Sequence, residues 1–287
     1  MRHMIPSDQS AMELGAYLAR ALPGTPPWAI RRILADRQVK REGARLAASD
    51  CVYAGDELTI YLPKGFANKA VDPPKIPTVY EDKRIWLVNK PQGIACQGAD
   101  DPHGQFGVLE LLQGQSKNHA LALCHRLDHQ TGGLLLFAKD GETEGLLRHA
   151  FAHQRIDKLY TCLTVGTPEP ERAELRAFLG KDAKAARVTV RDVPFAGALP
   201  IRTAYRVLES GPIARVEMRL ITGRTHQIRA HLAYIGHPIL GDDKYGDRAA
   251  NRAHGVRTQR LWATGLALHG GTLGSLDGLR FEVKAPF

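Results

Sequence analysis

The chain has little cysteine: four residues in 287, at Cys51, Cys96, Cys124 and Cys162, scattered and never in a Cys-x-x-Cys pair. That spacing suggests neither a disulfide framework nor a zinc site. No run approaches the ~18 apolar residues that a membrane-spanning helix needs, so no membrane span is expected. Met1 to Ser10 is polar and has no apolar signal core. Secretion is therefore not expected, and a reducing, cytoplasmic compartment is. Metal-ligand spacing is missing as well. His226 and His231 lie five apart with no Glu after His226, and His125 and His129 lie four apart but in a turn, without a third ligand. Glycine-rich phosphate loops are absent too, so the sequence points to no metal, nucleotide or flavin.

What is present is positive charge. Thirty-nine Lys and Arg stand against 30 Asp and Glu, a net charge of +9. Such a surface attracts polyanions, of which nucleic acid is the commonest. At 287 residues with 44% hydrophobic composition, the chain is long enough for two domains, each with its own core.

Residues 10–62 read as a small module. Ser10 and Glu13 fit a capping box, and Leu14, Leu18 and Leu22 then repeat at helical spacing. Pro23-Gly24 stops that helix and Pro26-Pro27 opens a second, with Ile30, Ile33 and Leu34 inward and Arg31 and Arg32 outward. Lys40, Arg41 and Arg45 follow around a tight turn at Gly43. Two short strands, Cys51 to Tyr53 and Leu58 to Leu62, flank a Gly55-Asp56 turn and close the module. The surface so built is helix-turn-helix-like and basic, as a phosphate backbone requires. Pro63, Gly65, Pro73, Pro74 and Pro77 mark a linker. The boundaries expected are 1–65 for the first domain, 66–78 for the linker and 79–287 for the second.

In the second domain, Ile85 to Asn89, Leu134 to Ala138, Leu159 to Val165 and Ala214 to Leu220 read as strands. Helices are predicted over 143–153 and 225–235. Strands outnumber helices, so the fold expected is α+β, with a mixed, largely antiparallel sheet and flanking helices beside a small α/β first domain.

Three stretches carry candidate chemistry. His125-Arg126-Leu127-Asp128 precedes a Gly-containing turn and a buried-looking strand. A carboxylate there needs a partner, because burying an unpaired charge is costly. An isolated Arg-x-Asp is more often a structural ion pair. Second, Gly223-Arg224-Thr225-His226-Gln227-Ile228-Arg229-Ala230-His231 starts a helix, with Thr225 placed as its cap. Helix starts disfavour cations, so these arginines call for a nearby phosphate or carboxylate. Third, Tyr160 in Lys158-Leu159-Tyr160 could stack on a base and offer its hydroxyl, though a strand Tyr is usually just half-buried. Asn89-Lys90-Pro91-Gln92-Gly93-Ile94 is a strand followed by a Pro–Gly turn that turn chemistry explains by itself.

Taken in order, these elements and Gly236 to Gly246 resemble the RluA-type family of RNA pseudouridine synthases from about Val79 to Pro286. The chain departs from the family's usual pattern beside Asp128, where His129-Gln130-Thr131-Gly132-Gly133 stands for Arg-Asp-Thr-Ser-Gly, and at Leu268-His269-Gly270. The first module resembles an S-four-type RNA-binding domain through its helix pair, Arg37 to Gly43 and Ala54 to Ile60; it has Glu42 where that family usually has Asn.

The resemblance implies isomerisation of uridine in RNA without a cofactor. It implies Asp128 as the catalytic carboxylate, either nucleophile or base, and Arg229 as its partner, a cation at ~4 Å lowering a carboxylate pKa by ~1–3 units. It also implies Tyr160 against the base and Arg126 filling the gap left by a flipped uridine. Arg224, His226, Gln227, Arg31, Arg32, Lys40 and Arg41 are the expected RNA contacts. Large-subunit ribosomal RNA is the expected target, transfer RNA the alternative, and a monomer the expected state. A non-catalytic RNA-binding factor is a further alternative. A glycosidase-like hydrolase would need a second carboxylate, and Glu142 and Glu144 in a helix start are poor candidates.

Overall fold

The computed structural model describes residues 2–7, 11–22, 30, 33–61, 75–98, 107–182, 187–269, 271 and 273–287. The chain divides into two compact units, Met1–Lys75 with Gln97–Gln115, and Ile76–Cys96 with Ser116–Phe287. Among the described residues no helix is long and apolar enough to cross a membrane.

In the first unit, β1 (Arg2–Met4), β3 (Val39–Arg41), β4 (Ala44–Arg45) and β6 (Glu57–Ile60) form a sheet in the order β1-β6-β3-β4. β2 (Met12–Glu13) pairs with β5 (Cys51–Val52). Helix α1 (Leu14–Ala21) buries Leu14 and Leu18 against Ile30, Ile33, Val52, Leu58 and Ile60, as the helical spacing of the leucines predicts. The capping box is corrected. Glu13 is the N-cap and makes no side-chain cap bond, because Met12 and Glu13 are already held in a strand pair. Ser10, Pro26-Pro27, Arg31 and Arg32 lie outside the described residues. The tight turn expected at Gly43 is a two-residue hairpin turn: Glu42 and Gly43 both take positive φ (51° and 83°), and Lys40, Arg41 and Arg45 lie on the two strands it joins. Strands β5 and β6 do not pair with each other; β6 lies between β1 and β3.

The second unit is one large sheet. Its strands are β7 (Thr78–Glu81), β8 (Ile85–Lys90), β9 (Ala122–Leu123), β10 (Gly132–Ala138), β11 (Ile156–Val165), β12 (Arg172–Asp182), β13 (Arg187–Arg191), β14 (Leu199–Glu209), β15 (Ile213–Leu220), β16 (Leu261–Leu268) and β17 (Arg280–Glu282). They run in the order β13-β12-β14-β15-β11-β16-β10-β8-β7, with β17 on β16 and β9 on β10. Every pairing is antiparallel except that of β10 with β16. This is the mixed, largely antiparallel α+β fold expected. The remaining helices are α2 (Val108–Ser116), which belongs to the first unit as far as Gln115, and α3 (Gly141–Ala152), α4 (Gln227–Tyr234) and α5 (Arg248–Ala253) of the second.

Sequence periodicity accounts for the layering. All seven residues of β10 are buried, as a strand covered on both faces must be. In β15, Ala214, Val216 and Met218 are buried, while Arg215, Glu217 and Arg219 pair with Glu209, Arg206 and Asp157. Helix α3 starts two residues earlier than predicted because Asp140 caps it, accepting from Thr143 N at 2.7 Å. Its Leu147 and Ala150 pack on Ile85, Leu87, Leu134, Leu136 and Leu266.

The parallel contact is unusually close. A Cβ on Gly132 would lie 2.2 Å from Cζ3 of Trp262, so a Ser there does not fit. One on Gly133, at φ +113°, would lie 2.2 Å from the Ala263 carbonyl oxygen. Gly133→Ala should therefore lower unfolding free energy by about 3–5 kcal/mol, the range of severe core disruption, in urea titration. A loss below about 1 kcal/mol would mean that β16 can recede from β10.

Candidate active site

Asp128 sits in the turn between β9 and β10. This turn is strapped to the segment that follows β8. Leu127 N donates to Cys96 Sγ (3.2 Å), Gly93 N to His129 O (3.0 Å) and Gln92 Nε2 to Gln130 O (2.7 Å). Lys90, with no exposed surface, donates its ammonium to Pro91 O (3.0 Å), Ile94 O (2.8 Å) and His129 O (3.2 Å). Burial pulls its pKa down to about 8, with nearby Cys96 and Asp128 opposing the shift. Ordinary turn chemistry does not describe this stretch; it is a buried cation organising the loop that carries Asp128. The legible signal was a lysine ending an otherwise apolar strand.

Arg229 reaches Asp128 from α4. Its Nη1 donates to Asp128 Oδ2 at 3.0 Å, while Nε and Nη2 donate to Asp242 Oδ2 and Oδ1 at 2.7 and 2.9 Å. Nη2 also lies 3.4 Å from Asp243 Oδ1. The Arg229 side chain is 6% exposed and that of Asp242 0%. Burial disfavours the charged guanidinium, but Asp242 and then Asp128 outweigh it and hold its pKa above the ordinary value. Asp242 is held below the carboxylate range, Arg229 and the Tyr245 and Lys244 amides prevailing over burial. These carboxylates are the anions that the arginine-rich helix start called for.

Helix α4 starts later than predicted. Thr225 is not its cap: His226 is, in the left-handed region at φ 55° and without a side-chain cap bond. That conformation turns the imidazole inward, with Nε2 4.0 Å from Asp128 Oδ2 and Nδ1 3.0 Å from the Tyr245 hydroxyl. Burial lowers the His226 pKa, against the pull of Asp128.

Tyr160 is buried on β11, across from Ala263, which in turn pairs with Gly133 on β10. Burial first, then the charges of Asp128 and Cys96, push its pKa up, so the phenol keeps its proton. Among the described residues its hydroxyl has no hydrogen-bond partner.

The structure thus gathers Asp128, Arg229, His226 and Tyr160. Arg126 and Arg224 are exposed beside them. Gln227 is corrected as an RNA contact. It is 2% exposed, and its amide is used internally: Nε2 donates to Arg202 O and Thr203 Oγ1, and Oε1 accepts from Arg224 N and Thr222 Oγ1. In the first unit Lys40 is partly exposed. Arg41 is partly exposed, with Nη1 held by Asp56 Oδ2 at 2.7 Å and by Cys51 O at 3.2 Å.

A carboxylate held by a buried guanidinium, beside a buried tyrosine and exposed arginines, is a site for acting on a polyanionic substrate. The family profile described as RNA pseudouridylate synthase matches residues 84–234. The chain belongs to this family, the enzymes that isomerise uridine in RNA to pseudouridine. The ribosomal large subunit pseudouridine synthase C of Escherichia coli K12 is 33% identical, over 97% of this chain and 91% of that protein. The Vibrio cholerae protein of the same name is 32% identical, over 85% and 80%. The solved structure of human RNA pseudouridylate synthase domain containing 4 superposes with a TM-score of 0.60 at 26% identity, over 73% of this chain and 88% of that one.

The depressed Lys90 pKa makes a stability prediction. Between about pH 8 and 10.5 the unfolded chain binds a proton at Lys90 that the folded chain has released. Stability therefore rises with pH through that window, on the order of 3 kcal/mol in full. Urea titrations at pH 8 and 10 should show this rise in wild type relative to Lys90→Met. Parallel pH profiles for the two proteins would show that Lys90 is charged in the fold throughout.

Proposed function

We propose that Asp128 is the carboxylate that acts on the ribose of a flipped uridine, as nucleophile at the anomeric carbon or as base on the neighbouring ribose proton. In either case the N-glycosidic bond breaks, uracil turns, and carbon 5 joins the ribose while its proton leaves. The reading is carried by one observation: Asp128 has one oxygen, Oδ2, bound to the buried Arg229, and the other, Oδ1, without a protein partner among the described residues. Arg229 is the cationic partner that holds the carboxylate in place, Nη1 lying 3.0 Å from Oδ2. Tyr160 packs on the uracil and offers its protonated hydroxyl near carbon 5. Arg126 occupies the gap in the RNA stack, and Arg224 meets backbone phosphate.

The target we propose is large-subunit ribosomal RNA, supported by nearly full-length similarity to synthases named for that substrate. Residues 1–65 act as an S-four-type RNA-binding module, 66–78 as a linker and 79–287 as the catalytic domain, in a cytoplasmic monomer. Lys40 and Arg45 support the module's role. They stand directly opposite each other on the hairpin, an arrangement of like charges that is unfavourable until an anion joins it.

Asp128→Asn should fold and bind RNA but release no tritium from carbon-5-labelled uridine in RNA. Turnover above contaminant level would remove Asp128 from the chemistry. Arg229→Ala should lose at least ~100-fold in kcat and also lose stability, because it strands two carboxylates. Pseudouridine mapping in a deletion strain should find large-subunit sites restored by the wild-type gene and not by Asp128→Asn. Restoration in transfer RNA alone would reassign the target. Lys40→Glu with Arg45→Glu should weaken affinity for the full ribosomal RNA about tenfold or more at low salt and leave kcat on a short stem-loop unchanged. Equal affinity would mean the module does not grip RNA.

A further inference from the structure

Two side chains address Asp128, and both approach the same oxygen. Arg229 Nη1 lies 3.0 Å from Oδ2, and His226 Nε2 lies 4.0 Å from it. The second distance is too long for a hydrogen bond, and an unliganded site is where such a bond is expected to be loose before substrate closes it.

The proton inventory around His226 is closed. Val188 N–H donates to the Tyr245 hydroxyl oxygen at 2.9 Å, and the same hydroxyl lies 3.0 Å from His226 Nδ1. Among the described residues it has no third partner. Were Nδ1 to carry a hydrogen, the phenol would receive two donors and its own proton would have no acceptor in a half-buried place. The arrangement that satisfies all of these groups within the protein has Tyr245 donating to Nδ1. A neutral imidazole then carries its hydrogen on Nε2, the nitrogen facing Asp128. The relay is rigid. The Tyr245 ring packs against the cluster of Ala177, Leu179, Val188, Val190, Ile201 and Ala230, and Asp242 accepts from the Tyr245 backbone N–H at 2.9 Å.

We propose that His226 is a positioning residue for uridine isomerisation: fixed by Tyr245 as the Nε2–H tautomer, it joins Arg229 on Asp128 Oδ2 and so leaves Oδ1 as the oxygen that meets the ribose. The proposal rests on the reading of Asp128 given above. It assigns His226 to the carboxylate rather than to RNA phosphate.

The two amide replacements of histidine discriminate. The Gln side-chain amide reaches the position of Nε2, whereas that of Asn reaches only the position of Nδ1. Backbone preference runs the other way, because Asn tolerates the left-handed conformation at 226 better than Gln. Tritium release from carbon-5-labelled large-subunit ribosomal RNA is measured for wild type, His226→Gln, His226→Asn and Asp128→Asn, with melting and RNA affinity as controls. We expect His226→Gln within about tenfold of wild-type kcat and His226→Asn lower by about 100-fold or more, with KM changing by less than about threefold. Nitrogen-15 spectra of histidine-labelled enzyme, assigned by difference against His226→Asn, should show a pyridine-like Nδ1 in wild type and a mixture of tautomers in Tyr245→Phe. Wild-type turnover by His226→Asn, equal losses in the two variants, or a protonated Nδ1 would each overturn the proposal. If Asp128→Asn itself turns over, the Asp128 reading falls and takes this one with it. If Asp128→Asn is dead while His226→Asn is unimpaired, only the histidine proposal falls.

Discussion

A single buried guanidinium holds the second unit's polar centre together. Arg229 is 6% exposed and shared between a fully buried carboxylate, Asp242, and a partly open one, Asp128. Neither charge could be buried alone, since desolvating an ion costs several kcal/mol before any attraction returns it. The bidentate fork on Asp242 fixes the plane of the guanidinium, and that plane directs the remaining nitrogen to Asp128. Asp242 is fixed in turn by the Lys244 and Tyr245 amides. The turn that carries it is tight: Gly241 takes φ +79°, and a Cβ there would lie 2.1 Å from the Thr258 carbonyl oxygen.

Much of this was legible in the chain. Strand-like runs located β8, β10 and β11, clear alternation located β15, and the leucines at helical spacing located α1. The arginine-rich start of α4 called for some nearby anion, because a cation at a helix N-terminus is disfavoured, and the family resemblance named Asp128 and Arg229 as the pair. Less legible was anything decided by hydrogen bonds between distant segments. Lys90 stands in a stretch that, in the sequence, turn chemistry explains by itself, yet its buried ammonium is taken up by three carbonyls, one of them 39 residues away. Gln227 looked like a polar group free for RNA, yet two residues of β14 take up its amide nitrogen.

Helix boundaries failed for a related reason. Thr225 and Ser10 are good cap residues by type, but cap preference is worth only ~1 kcal/mol. At α4, the inward turn of His226 beside Asp128 and Tyr245 decides the start. At α1, the β2–β5 pairing extends the chain up to Glu13. In the first unit the sequence places Lys40, Arg41 and Arg45 around a tight turn at Gly43, and the structure has that turn. The turn is a two-residue hairpin, which places Lys40 and Arg45 directly opposite each other on adjacent strands.

The spacing of the central ion pair along the chain has a further meaning. Asp128 and Arg229 are 101 residues apart, and β10 meets β16 through pairs separated by about 130 positions. Contacts of such separation form slowly, since loop-closure entropy must be met before they stabilise anything. No nascent or truncated chain that stops short of Arg229 can own the site. Activity therefore reports completed synthesis and folding of the second unit, so a partly folded enzyme has no assembled centre with which to modify RNA.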